Sequence, residues 1–171
     1  PPNSPDKPPG LSSSFFHEQL KEGDILDVRA PSGHFFLDQT SDSPVVLIAG
    51  GVGLTPVLSM LNTIVRTGSK RETWFLYGVT NRSDHAMYDH LQEVGKSHEN
   101  VHVVVCYSRP SEDCVEGRDY QHHGFVSIDL FKELLPSNNY EFYLCGPPPM
   151  MNALDEQLRA WGVPDQRINY E

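Results

Sequence analysis

The chain is poor in positive charge, in cysteine and in long apolar runs. Its 13 Lys and Arg stand against 23 Asp and Glu, a net charge of -10 at pH 7. That balance disfavours a nucleic-acid backbone or an anionic membrane as the main partner. Three cysteines without a C-x-x-C pair make neither a disulfide framework nor a zinc or redox-dithiol motif, which points to a reducing compartment with the cytoplasm as default. No apolar run approaches the roughly 20 residues of a membrane-spanning helix, and the first residues lack a charged-then-apolar signal pattern. Neither G-x-x-x-x-G-K-S/T nor G-x-S-x-G occurs, so P-loop and serine-hydrolase readings have no foothold. His122 and His123 are adjacent, and His85 and His90 are five apart. Neither spacing suits a zincin-type site, so no metal is expected.

What is present is organised around residues 45–61. Val45-Val46-Leu47-Ile48-Ala49 is the unbroken aliphatic run of a strand buried on both faces, and Val57-Leu58-Ser59-Met60-Leu61 carries helical spacing. Gly50, Gly51 and Gly53 lie between them and can bring a ligand against the main chain, while Thr55 is placed to cap and Pro56 to open the following helix. A helix N-terminus across a glycine turn suits a phosphate. The pattern is G-x-G-x-x-P and is distinct from the Rossmann G-x-G-x-x-G.

The five prolines in Pro1–Gly10 describe an extended segment. Ser12 to Ser14 precede a short helix through Leu20 that closes at Gly23-Asp24. Ile25 to Val28 and His34 to Leu37 then read as two short strands, too few to close a sheet. From Val45 onward, strands and helices alternate. Strands are expected at 45–49, 73–77, 101–107, 140–144 and 167–170. Helices are expected at about 55–66, at 84–94 with Met87, Leu91 and Val94 on one face, from a Ser127 cap to Leu135, and from Pro147 or Pro148 to Trp161. Residues 108–123 read as a long loop. Ligands in such folds bind beyond the carboxyl ends of the strands, where this sequence places the glycine turn, Gly78 to Arg82, Ser108-Arg109 and Cys145 to Met150.

Ala49 to Pro56, Tyr143-Leu144-Cys145-Gly146-Pro147-Pro148-Pro149-Met150 and Ile168-Asn169-Tyr170-Glu171 together resemble the nicotinamide-binding half of the ferredoxin-NADP reductase superfamily. The nearest likeness is to the reductase modules of flavohemoglobins. Gly10 to Glu18 is similar to that family's flavin-pyrophosphate segment, and residues 23–35 to its last barrel strands. The family's R-x-Y-S/T flavin motif does not occur before Gly10, and Arg118-Asp119-Tyr120-Gln121 mimics it in the wrong place.

The resemblance implies a five-stranded parallel doubly wound α/β sheet of order 3-2-1-4-5, preceded by a partial β-barrel segment. It implies residues 1–43 as the end of an FAD-binding barrel and 44–171 as the NAD(P)-binding domain, in a fragment of a longer reductase. The implied reaction is hydride transfer from NAD(P)H to FAD, with electrons passed singly to a redox partner protein or a fused acceptor domain. The alternative is a nucleotide-binding module without turnover of its own.

The same resemblance assigns Gly50, Gly51, Gly53, Thr55 and Pro56 to the pyrophosphate and nicotinamide side, and sets Cys145, Gly146 and Pro147 against the nicotinamide. It gives Thr55, Cys145 and Glu171 to the reaction centre, Ser108 and Arg109 to a 2′-phosphate with help from Arg82 and Arg118, and Ser13 and Ser14 to the flavin. NADH and NADPH both stay open.

Overall fold

A computed structural model describes residues 10–171; the proline-rich start, expected to be extended, lies outside the described residues. The chain divides after Gly33 into two units. In the first, Leu11–Ser14 form a single helical turn, α1, continued by a wider turn over Phe15–Gln19. The serines expected to cap this helix lie inside it, and no side chain caps its start. The Lys21 N–H donates to the Asp24 carboxylate at 2.8 Å and closes the expected turn. Ile25, Leu26 and Val28 form no strand. A strand needs a neighbour for its backbone groups, and this unit contains none among the described residues.

The second unit, His34–Glu171, holds one all-parallel sheet. Its strands are β1 (Val45–Gly50), β2 (Thr73–Val79), β3 (Val101–Tyr107), β4 (His122–His123), β5 (Glu141–Cys145) and β6 (Ile168–Tyr170), in the order β4-β3-β2-β1-β5-β6. The five expected strands keep their expected order. The addition is β4, a two-residue edge strand inside the polar run read as loop, paired as Cys106 with His122 and Tyr107 with His123.

Every residue of β1 is buried, as its aliphatic run requires. Val45, Leu47 and Ala49 join one core with Leu54, Val57 and Leu61 of α2 (Leu54–Thr67) and with Leu91 and Val94 of α3 (Tyr88–Ser97). Val46 and Ile48 join the other with Leu130 and Phe131 of α4 (Ile128–Leu134) and with Leu154 and Leu158 of α5 (Pro148–Ala160). Alternating side chains thus bind helices to both faces. Ser127 caps α4 as expected, its hydroxyl accepting from the Leu130 N–H at 3.4 Å. Met87 departs from expectation. It precedes α3 in the left-handed conformation at φ 59° and is half exposed, so Leu91 and Val94 alone carry the buried face.

His34 to Leu37 form no strand either; the segment is tied down by side chains. The buried Arg71 guanidinium donates to the Ser43 carbonyl at 2.8 Å, the Asp38 carbonyl at 3.1 Å and the Glu141 carboxylate at 3.0 Å. Ser41 donates to the other Glu141 oxygen at 2.7 Å, and the Asp38 N–H donates to the Tyr143 hydroxyl at 3.2 Å. Replacing Arg71 with Ala strands two carbonyls and a largely buried carboxylate. The expected loss is about 2–4 kcal/mol of stability, read by urea unfolding.

Candidate functional site

The carboxyl ends of the strands share one edge of the sheet. At the centre, β1 ends in Gly50, and Gly51–Gly53 make a 3-10 turn into α2. The Leu54 N–H donates to the carbonyls of Gly51 and Val52, so the helix begins at Leu54 with Gly53 in the cap position and no side-chain cap. Thr55 is therefore not the cap, and Pro56 does not open the helix. Both sit in its first turn, where the N–H that proline lacks has no partner to lose. Thr55 is exposed and Pro56 half-buried.

On the neighbouring strand, β5 ends at Cys145, level with Ala49 of β1, and Pro148 starts α5. The two turns interlock. A Cβ on Gly53 would lie 2.3 Å from the Cys145 carbonyl oxygen and 2.6 Å from the Gly146 nitrogen. One on Gly146 would lie 3.1 Å from the Gly50 backbone, and one on Gly50 would strike Met150 and Pro147. Gly51, at φ 51°, faces open space instead. The turn is thus closed toward β5 and open above Gly51, a cradle whose floor is main chain.

Cys145 is half-buried, and burial raises its thiol pKa, with the Glu171 carboxylate adding to the effect. It remains a neutral thiol near pH 7, a packing surface rather than a nucleophile. Glu171 is held beside β5 by its N–H, which donates to the Leu144 carbonyl at 3.3 Å, and its side chain is exposed. The structure therefore brings Gly50, Gly51, Gly53, Thr55, Cys145, Gly146, Pro147 and Glu171 to one end of β1 and β5.

Ser108 and Arg109 follow β3 on the other side. Their N–H groups donate to the carbonyls of Val79 at 3.0 Å and Thr80 at 2.8 Å, which fixes them beside the end of β2. Arg109 is exposed. Three interstrand steps separate them from Cys145, roughly 14 Å along the sheet edge. Arg82, after β2, lies over the Tyr88 ring at 3.7 Å.

Arg118 is committed elsewhere. It pairs with the buried Asp119 at 2.6 Å, and that carboxylate also accepts from the Val115 N–H at 2.8 Å and the Tyr88 hydroxyl at 3.1 Å. The Arg118 bond, aided by that N–H, holds Asp119 well below the usual carboxylate range. Ser13 and Ser14 belong to the first unit, within α1.

Two features escaped the sequence reading. Phe125 is 77% exposed just after β4; finding it required recognising β4, whose only signal was Gly124-Phe125-Val126 closing a polar run. Tyr77, His85 and Tyr107 form a buried cluster behind the strand ends, which no local pattern announces. Among the described residues, no three His, Cys, Asp or Glu gather closely enough to hold a metal ion, and no helix is long and apolar enough to cross a membrane.

A parallel doubly wound sheet with a glycine turn and a Gly-Pro turn interlocked at its central carboxyl edge defines a nucleotide-binding α/β domain. A family model described as the oxidoreductase NAD-binding domain matches residues 47–156. The chain belongs to that family.

Flavohemoproteins of Halalkalibacterium halodurans and Bacillus thuringiensis are 40% and 42% identical to it over 166 residues, or 97% of this chain. This chain spans about two-fifths of their length. Among solved structures, the FAD/NAD-binding domain of nitric oxide dioxygenase from Vibrio cholerae superposes with a TM-score of 0.80 at 32% identity, over 95% of this chain and 64% of that one. The cytochrome b5 reductase domain of Ulva prolifera nitrate reductase gives 0.79 at 26%, over 95% and 66%. The resemblance to flavohemoglobin reductase modules is borne out.

The interlock carries its own test. Gly53→Ala puts a methyl into the Cys145 main chain and is expected to lower stability by about 3 kcal/mol or more. Gly51→Ala meets only its left-handed backbone and is expected to lose about 1–2 kcal/mol. Thermal unfolding of the two variants reads the difference, and equal losses would contradict the interlock.

Proposed function

We propose that this chain is the nicotinamide-nucleotide-binding portion of a flavoprotein reductase that takes hydride from NAD(P)H and passes electrons to a one-electron acceptor. The observation that carries this reading is the cradle at the end of β1, closed against Cys145-Gly146 and open above Gly51. A cradle of backbone N–H groups at a helix start accepts phosphate oxygens even where the protein is acidic overall. Gly50, Gly51, Gly53 and the first turn with Thr55 and Pro56 hold the pyrophosphate. Cys145, Gly146 and Pro147 set the nicotinamide plane, with the neutral thiol packed against the ring. Glu171 supplies a carboxylate at the same end.

Ser108 and Arg109 would meet the adenosine ribose, with Arg82 in the loop after β2. Arg118 pairs with Asp119, and its side chain stays largely exposed. Phe125 offers an exposed ring for the base.

On this reading residues 1–43 end a flavin-binding barrel and 44–171 are the nucleotide domain, although 34–43 pack with the sheet unit through Arg71 and Glu141. Ser13 and Ser14 would meet the FAD diphosphate. When bound, FAD supplies the change from hydride to single-electron transfer; the protein binds, orients and excludes water. The acceptor is a redox partner protein or a fused domain.

Calorimetric titration with NADH and with NADPH tests the reading. Saturable binding of at least one is expected, and failure of both at millimolar concentration would overturn it. Arg109→Ala is expected to weaken NADPH about tenfold and NADH less than twofold.

A further inference from the structure

Behind the strand ends lies an imidazole that packing alone does not explain. His85, in the loop between β2 and α3, is 4% exposed, and its Nε2 is buried without a hydrogen-bond partner among the described residues. An orphan ring nitrogen in a core is costly, and a leucine would fill the same space without it. Burial lowers its pKa to about 4; Arg82 acts in the same direction and Asp119 against it, so the ring is neutral near pH 7.

What the imidazole does make is a hydrogen bond, with Nδ1 2.8 Å from the Tyr107 hydroxyl oxygen. Tyr107 is the last residue of β3, directly before Ser108-Arg109, and its ring stacks on Tyr120 at 4.8 Å. The imidazole also stands edge-on to Tyr77 at 5.6 Å and to Tyr88 at 5.0 Å. Tyr77, near the end of β2, is 1% exposed, and its hydroxyl donates to the Gly51 carbonyl at 3.4 Å. A continuous chain of contacts therefore runs from the glycine turn after β1, through Tyr77 and His85, to the loop after β3.

We propose that Tyr77 and His85 are positioning residues of the nucleotide cleft. Tyr77 braces the Gly51 carbonyl, which also accepts from the Leu54 N–H, and so the orientation of the peptide that leads into the phosphate cradle. His85 adds a side-chain tie to the end of β3, whose backbone already pairs with β2, and so restrains Ser108 and Arg109 further. The inference rests on the nucleotide-binding reading above, because positioning has meaning only if the cleft takes a nucleotide.

Three measurements on the same variants separate it from simple packing: the Kd for NADH and NADPH, amide hydrogen exchange at residues 51–53 and 108–109, and Tm. Tyr77→Phe keeps the ring and removes only the hydroxyl. It is expected to speed exchange at 51–53 and to raise both Kd values roughly three- to tenfold, the scale of one hydrogen bond, with Tm nearly unchanged. His85→Leu is expected to speed exchange at 108–109 and to weaken NADPH more than NADH. His85→Asn, whose side-chain oxygen falls near the place of Nδ1, is expected to recover much of both.

Unchanged exchange and Kd in Tyr77→Phe would overturn the proposal. So would a loss that tracks Tm alone, or a His85→Asn no better than His85→Leu. If the parent chain bound neither nucleotide, the proposed function would fail by itself, while the exchange data would still decide whether the two residues fix the turns.

Discussion

Everything at the functional edge depends on one close approach, that of Gly53 to the main chain of Cys145 and Gly146. No side chain fits between them, since the first atom of one would stand 2.3 Å from a carbonyl oxygen. The approach is possible because β1 and β5 are parallel neighbours with Ala49 level with Cys145, so β5 leaves the sheet only one residue before β1 does. It sets the direction of α2 and places the start of α5 beside it. Glycine at this point is a requirement of packing first; the open cradle above Gly51 follows from it.

The electrostatics fit that arrangement. The chain is strongly acidic, yet the cradle needs no cationic side chain, because a helix start presents backbone N–H groups and the positive end of the dipole. Several cations are spent on structure. Arg71 holds the segment before β1 through Glu141 and two carbonyls, Arg118 holds Asp119, and Arg159 is bound by Asp155 and Asp165. Arg109 stays exposed next to the end of β2, and Arg82 rests on an aromatic face. The distribution separates charges that hold the fold from charges offered outward.

The parts legible in sequence were those with local signals. The central strands read clearly because strands buried on both faces must be continuously apolar, and the Ser127 cap because its hydroxyl serves a backbone group three residues away. The turn itself was recognised, but its cap was not. A 3-10 turn passes carbonyls straight to Leu54, so the helix starts without the Thr55 hydroxyl. Strand β4 was missed because two histidines carry no alternation and pair only with the last residues of β3. Residues 25–28 and 34–37 looked like strands by composition and are not, since pairing requires a partner that composition does not supply. The Tyr77–His85–Tyr107 chain was invisible for a related reason: its members come from separate elements and meet only across the sheet.

On the proposed function, a nicotinamide dinucleotide lies across the interlocked turns of β1 and β5. The most direct test is a nitrogen-15 amide titration of the chain with NAD+, followed residue by residue. The expected result is that Gly51, Val52, Gly53, Leu54, Cys145 and Gly146 shift together and saturate at one Kd, with smaller shifts at Ser108 and Arg109. Shifts gathered instead in the cavity between α3 and β3 that His85, Lys96 and Val103 line would contradict it. So would a spectrum in which the two turns stay still.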